Sequence, residues 1–170
     1  MPRFVLISGC SGGGKSTLLT ALAARGHAVV PEPGRRVLAA GGPKPLEDMT
    51  GFATAALQMA QQDLTAQAAQ DGWVFFDRGV IDAAVALAHC TGTPVAQHLP
   101  GPRAYHRTVF LAPPWPEIYR QDAARQHGFD AACAEYERLS TALPALGYDT
   151  VLLPKASPET RADVILDHLA

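Results

Sequence analysis

The nine residues Gly9-Cys10-Ser11-Gly12-Gly13-Gly14-Lys15-Ser16-Thr17 constrain this chain more than any others. They satisfy the spacing G-x-x-x-x-G-K-[ST] of a phosphate-cradling P-loop. The residues on both sides fit. Phe4-Val5-Leu6-Ile7 is a short apolar, partly β-branched run and predicts a buried strand. Leu18 to Ala24 is rich in good helix formers. A strand that ends in glycines and turns straight into a helix presents a row of backbone N–H groups as an anion nest, and the helix N-terminus adds to the same field. The competing explanation is a chance match in a chain with 15 glycines. The flanking strand and helix argue against it.

Within this loop, Gly9, Ser11, Gly12, Gly13, Gly14, Lys15, Ser16 and Thr17 are assigned to the phosphates of a nucleotide. Lys15 is a mobile point charge suited to the β- and γ-phosphates, and the Ser16 hydroxyl suits Mg²⁺. Cys10 is read as a tolerated small residue; a modifiable thiol is the alternative.

The remaining chain alternates strand and helix. Ala28–Val30, Trp73–Phe76, Arg107–Leu111 and Thr150–Leu153 read as further strands. Helices are predicted over Arg35–Ala40, from Met49 or Thr50 to about Asp71, from Val80 to about His89, over Pro116–Gln126 and Phe129–Leu146, and over Pro158–Leu169. Leu57, Ala60, Leu64 and Ala68 give the long second helix a buried stripe. Pro144 is expected to kink or end its helix, and Ser157 to cap the last one. Thr91–Pro102 reads as loop with a helical turn. The strands are continuous apolar runs rather than alternating ones, which predicts a parallel sheet covered on both faces: an α/β fold of one domain spanning 1–170.

In such sheets ligands bind at the carboxyl ends of the strands, and the charged candidates fall there. Glu32 lies between Pro31 and Pro33, which favour an extended, preorganised backbone. It is read as a general base for an acceptor hydroxyl; a turn residue paired with Arg35 or Arg36 is the alternative. Asp77 ends an apolar strand in the Walker B position, as a Mg²⁺ ligand directly or through water, or else as a strand-end cap. Arg78 is read against phosphate or acceptor. Asp82 reads as a carboxylate favoured by its helix dipole. Arg120 and Arg125 lie on a segment, about 116–130, read as a lid that closes over the transferring phosphate, or as a solvated face paired with Asp122. Lys155 is placed near the nucleotide base and Arg161 on the surface. The six histidines show no ligand spacing.

Composition narrows the class. A net charge of −2 with no Lys/Arg cluster disfavours nucleic acid as a partner. No apolar stretch reaches the ~18 residues of a membrane span. Three cysteines, far apart and odd in number, form no metal-type pair, and a reduced cytoplasmic setting is expected.

Gly9–Thr17, Pro31-Glu32-Pro33 with Arg35, Phe76-Asp77-Arg78-Gly79, and Tyr119-Arg120-Gln121-Asp122 with Arg125 occur in that order. Together they resemble the small AAA-domain ATP-binding proteins of the nucleoside/nucleotide kinase-like P-loop group. The ribosylnicotinamide kinase domain is a similar relative. The Glu-Pro and Asp-Arg pairs also look like those of deoxyribonucleoside kinases, where the matching glutamate is the general base. The resemblance implies a P-loop NTPase sandwich with strand order 2-3-1-4-5, ATP with Mg²⁺, and phosphoryl transfer or hydrolysis. It departs in Gly79-Val80 after the Asp-Arg pair, and it lacks the Asp-x-Asp of shikimate kinases and the Asn-Lys-x-Asp or Thr-Lys-x-Asp guanine motif of signalling GTPases.

The expectation is an ATP-dependent kinase acting on a hydroxyl of a small nucleoside-like or sugar-like acceptor. Lys15, Glu32, Asp77, Arg120 and Arg125 would be catalytic, Ser16 and Asp77 would hold Mg²⁺, and Glu32, Arg35 and Arg78 would meet the acceptor. The alternative is an ATPase or nucleotide switch acting on a protein partner.

Overall fold

A computed structural model describes residues 3–120 and 128–170. Five parallel strands form one sheet: β1 (Phe4–Gly9), β2 (Ala28–Val30), β3 (Val74–Asp77), β4 (Thr108–Ala112) and β5 (Asp149–Leu152), in the order β2-β3-β1-β4-β5. Among the described residues, six helices connect and follow them: α1 (Lys15–Ala24), α2 (Pro33–Ala39), α3 (Met49–Ala66), α4 (Val80–Thr91), α5 (Phe129–Ala145) and α6 (Pro158–Leu169). Short 3₁₀ turns lie at Val95–His98 and Pro116–Ile118.

Successive strand residues point to opposite faces, so each apolar run feeds two cores. Val5, Ile7, Phe75 and Phe110 pack with Leu18, Leu19 and Leu22 of α1 and with Ala162 and Ile165 of α6. Leu6, Phe76, Val109 and Leu111 pack on the other side against α3, α4 and α5. Phe75, Phe76 and Phe110 are almost wholly buried, each contributing about 1.5–3 kcal/mol relative to exposure. The outcome is three layers, helix–sheet–helix, in the strand order the family resemblance implies.

The edges depart from expectation. β5 is not a covered strand: Asp149, Thr150 and Leu152 are exposed, Leu152 at 58%. It is the last strand, so one side of it has no neighbour. α3 stops at Ala66 rather than near Asp71. Leu64 is the last stripe residue in contact with the core and Ala68 is exposed, so nothing holds a further turn. The helix predicted over Pro116–Gln126 is a single 3₁₀ turn as far as Ile118. Its turn bonds are Ile118 N–H to the Trp115 carbonyl (3.2 Å) and Tyr119 N–H to that of Pro116 (3.3 Å), both i to i+3, and Tyr119 is extended. The rest of that stretch, with Arg125 and Asp122, lies outside the described residues.

Two other expectations hold. Pro144 sits in the last turn of α5, and the Ser157 hydroxyl caps α6 by accepting from Thr160 N–H at 3.1 Å.

Candidate active site

The carboxyl ends of β1, β2 and β3 converge. Gly9 ends β1 at φ +114°, a conformation L side chains rarely adopt, and a Cβ there would lie 2.3 Å from the Ala112 carbonyl oxygen. This close approach lets Cys10 N–H donate to the Ala112 carbonyl at 2.8 Å, tying the loop to the end of β4. Gly12 lies against the Tyr119 ring, which stands edge-on to Phe129 at 5.3 Å. The segment following β4 therefore meets the P-loop directly. Cys10 is buried, and burial pushes its thiol up to about 11, so the small-residue reading stands.

A polar cleft of about 250 Å³ is lined by Ser11, Gly12, Gly14, Lys15, Ser16, Glu32, Arg35 and Asp77. The structure thus gathers the P-loop, the end of β2 and the end of β3 as the sequence predicts. Lys15 is buried and donates to the Cys10 carbonyl at 2.8 Å. Burial lowers its pKa, as does Arg78, while Asp77 and Glu32 oppose this. Thr17 turns away from the cleft lining and donates to the Gly14 carbonyl at 2.9 Å.

Asp77 pairs in register with Ile7 of β1 and is 3% exposed. Its Oδ1 has no hydrogen-bond partner. Burial pushes its carboxyl up to about 6, Glu32 adds to this, and Lys15 pulls the other way. A buried, unpartnered carboxylate oxygen in the cleft that Ser16 also lines fits Mg²⁺, a hard cation taking oxygen ligands and water. Without metal or nucleotide, the carboxyl goes from 3.8 unfolded to about 6 folded. The folded state then holds more protons between those values, and stability falls as pH rises through them. Asp82, also pushed up by burial, adds to the same decline, so melts in chelator from pH 4 to 8 should show Asp77→Asn making it shallower. The variant should also be more stable at pH 7 by about 1–3 kcal/mol. An unchanged profile would mean the carboxylate costs the fold nothing.

Glu32 sits at φ −52°, ψ 125°, the extended geometry its two prolines predict, and serves as N-cap residue of α2. It pairs with Arg35 Nε at 3.4 Å and with Arg78 Nε at 3.7 Å. Arg36 instead pairs with Asp63 at 2.5 Å and donates to the Pro31 carbonyl, tethering α2 to α3.

Arg78 is the junction. Its backbone is left-handed, φ 60°, and its side chain is 11% exposed. Three carboxylates surround it: Glu32, Asp82 at 3.3 Å from Nη1, and Glu135 at 2.7 Å from Nη2. Burial works against its charge, but Glu135 first, then Asp82 and Glu32, hold its pKa above the ordinary arginine value. Asp82 fills the helix-terminal role predicted for it, accepting from Gly79 N–H at 2.9 Å, and it also accepts from the Ser8 hydroxyl and from Arg78.

A second cleft, about 740 Å³, shares Ser11 and Glu32 with the first. Its apolar walls include Pro45, Met49, Phe52 and Ala53 from the α3 side and Ala83 and Ala86 from α4, with Arg78, Asp82 and Glu135 as polar groups.

Sequence reasoning missed Glu135 and misplaced Arg161. Glu135 occupies the apolar stripe of α5 with Ala132, Leu139 and Leu143, where a carboxylate is out of place unless it has a buried partner. Arg161 is not on the surface. It is 3% exposed, in the helical row of Ile165 and Leu169. Arg120 is exposed, donates to the Tyr119 carbonyl at 2.9 Å, and lines neither cleft. Arg125 lies outside the described residues. Lys155 is exposed in the loop after β5.

A parallel sheet in this order, with a glycine loop between its central strand and the first helix, defines the P-loop NTPase fold. A family model described as an AAA domain matches residues 4–161. The chain belongs to that family. Among solved structures it is similar to deoxyadenosine kinase from M. mycoides with bound dATP (TM-score 0.69, 10% identity, 98% of each chain covered). It is also similar to shikimate kinase from Acinetobacter baumannii in complex with shikimate (TM-score 0.60, 13% identity, 99% of this chain and 93% of that one). No curated protein matches its sequence. Among the described residues, no helix is long and apolar enough to cross a membrane.

Proposed function

We propose that the protein transfers a phosphoryl group from ATP to a hydroxyl of a small neutral or cationic acceptor. The observation that carries this reading is the position of Glu32, whose side chain lines both the phosphate cleft and the larger apolar cleft. A carboxylate on the shared wall of two such clefts is placed to take a proton from a hydroxyl entering from one side while a phosphate occupies the other.

The division of labour follows from the residues. Backbone N–H groups of the P-loop and the Lys15 ammonium hold the phosphates. Ser16 and Asp77 would hold Mg²⁺, which when bound offsets phosphate charge. Arg78 fixes Glu32 and, with Asp82 and Glu135, the polar end of the acceptor cleft. Arg35 stands beside Glu32 at the mouth. Phe52 and Met49 offer an apolar face for a flat ring. Among the described residues, the acceptor cleft is lined by the carboxylates of Glu32, Asp82 and Glu135 and by the Arg78 guanidinium, with Arg35 paired to Glu32 at its mouth, and this acidic balance disfavours an acceptor carrying its own carboxylate or phosphate. The deoxyadenosine and shikimate kinases support phosphoryl transfer on this fold, and the charge of the cleft favours an uncharged or cationic ring over a hydroxy acid. A reduced cytoplasmic setting belongs to the same reading.

The test is a transfer assay with Mg-ATP across neutral nucleosides, sugars and cationic ring ribosides, with shikimate as the anionic comparison. Acceptor-dependent ADP release confined to neutral or cationic compounds is expected. Transfer to shikimate would overturn the charge assignment. ADP release indifferent to every acceptor would favour the hydrolase or switch alternative.

A further inference from the structure

Arg161 takes no part in the chemistry above, yet it is one of the most buried charges in the protein, at 3% exposure. It belongs to the first turn of α6, on the opposite side of the P-loop from the acceptor cleft. Its Nη1 donates to the carbonyls of Gly13 at 3.2 Å and Gly14 at 3.1 Å. Its Nη2 reaches the Thr17 hydroxyl at 3.5 Å, and that hydroxyl donates to the same Gly14 carbonyl. The guanidinium also lies over the Trp115 ring, 5.5 Å from its centroid. A Cβ on Gly14 would lie 2.8 Å from Nη1 and 2.9 Å from Nη2, so the approach requires glycine there.

Among the described residues no carboxylate forms an ion pair with Arg161. Burying a guanidinium without one is costly, and here two loop carbonyls compensate it. The peptide bond is planar and trans, so its C=O and N–H point in opposite directions. The Gly13 carbonyl shares its peptide with Gly14 N–H, and the Gly14 carbonyl shares its peptide with Lys15 N–H. The Gly14 carbonyl also accepts from Leu18 N–H at 3.2 Å, as the first acceptor of α1, so the peptide whose orientation depends on Arg161 is Gly13–Gly14: holding its carbonyl toward α6 turns Gly14 N–H the other way, toward the cleft that Gly14 lines.

We propose that Arg161 is a positioning residue for the nucleotide: it fixes the Gly13–Gly14 peptide of the P-loop with its N–H group facing the phosphates and braces the Gly14 carbonyl at the start of α1, and so sets nucleotide affinity without touching the ligand. This rests on the nucleotide-binding part of the function proposed above, and not on the identity of the acceptor.

The experiment measures Mg-ATP and Mg-ADP dissociation constants by calorimetry, well below each protein's melting point, for wild type, Arg161→Met, Arg161→Lys and Tyr105→Phe. Methionine retains packing against Trp115 but makes no hydrogen bond. Lysine retains charge but cannot span both carbonyls and Thr17. Tyr105 is buried, and its hydroxyl accepts from Val80 N–H at 3.0 Å on the far side of the sheet from α6, so its variant reports general loosening. About tenfold weaker binding of both nucleotides is expected for Arg161→Met, a smaller loss for Arg161→Lys and none for Tyr105→Phe. Affinity within twofold of wild type in Arg161→Met overturns the proposal, as does an equal loss in Tyr105→Phe. Where Arg161→Met does not fold, unaltered affinity in Arg161→Lys overturns it. A wild-type protein that binds neither nucleotide removes the nucleotide reading itself, and this inference with it.

Discussion

Glu32→Gln is expected to lower the rate of phosphoryl transfer by about 10²–10⁴-fold while leaving Mg-ATP affinity near that of wild type. The amide keeps the shape of the side chain and its place between Pro31 and Pro33, and it cannot accept a proton at neutral pH. Its ion pairs with Arg35 and Arg78 are 3.4 and 3.7 Å long, long and partly exposed enough that the neutral amide costs little stability. The variant should therefore fold normally. Steady-state rates and nucleotide titrations on the same preparation separate the two quantities. Wild-type transfer by the variant would remove Glu32 from the chemistry and leave it the turn residue of the alternative reading.

Arg78→Ala carries the largest expected cost in stability, about 2–4 kcal/mol, because Arg78 and Asp82 are nearly buried while Glu32 and Glu135 are partly exposed. Removing the guanidinium leaves Asp82 and Glu135 facing one another's field at the edge of the core, with Glu32 close by. Deleting the shared cation of a part-buried network leaves its carboxylates repelling one another with their other contacts alone to offset it, which is worse than removing the network together. Adding Glu135→Gln to Arg78→Ala should accordingly recover part of the loss. Denaturation of the single and double variants forms the necessary cycle. Strict additivity of the two changes would mean that Arg78 and Glu135, 2.7 Å apart, are not energetically coupled.

Much of this was legible in the sequence because local rules and the global fold agree there. The P-loop needs its glycines, lysine and hydroxyls at fixed offsets, and Glu32 and Asp77 follow runs apolar enough to identify as strands. Topology then brings strand ends together without further information. Glu135 and Arg161 were illegible for the opposite reason. Each meets its partner across more than fifty residues of sequence, and each looks locally like a charge on an amphipathic helix. Only a charge in the apolar row marked them, and that pattern does not name the partner. Of the helix expected after Pro116, the described residues show one 3₁₀ turn, Pro116–Ile118, with Tyr119 already extended. At the end of α3 and along β5, propensity was right about type and silent about where the packing partner runs out.

The two faces of the sheet answer to different demands. On the α1 and α6 side, the core, Arg161 and the P-loop serve only the phosphate end. On the α3, α4 and α5 side, the walls of the larger cleft are few and small: Ala53, Ala83 and Ala86 beside Phe52 and Met49. Exchanging one of these alanines for a larger residue would reshape that cleft from the side away from α1 and α6. On the proposed function, acceptor choice could then drift between descendants of such a chain while the grip on the nucleotide is inherited.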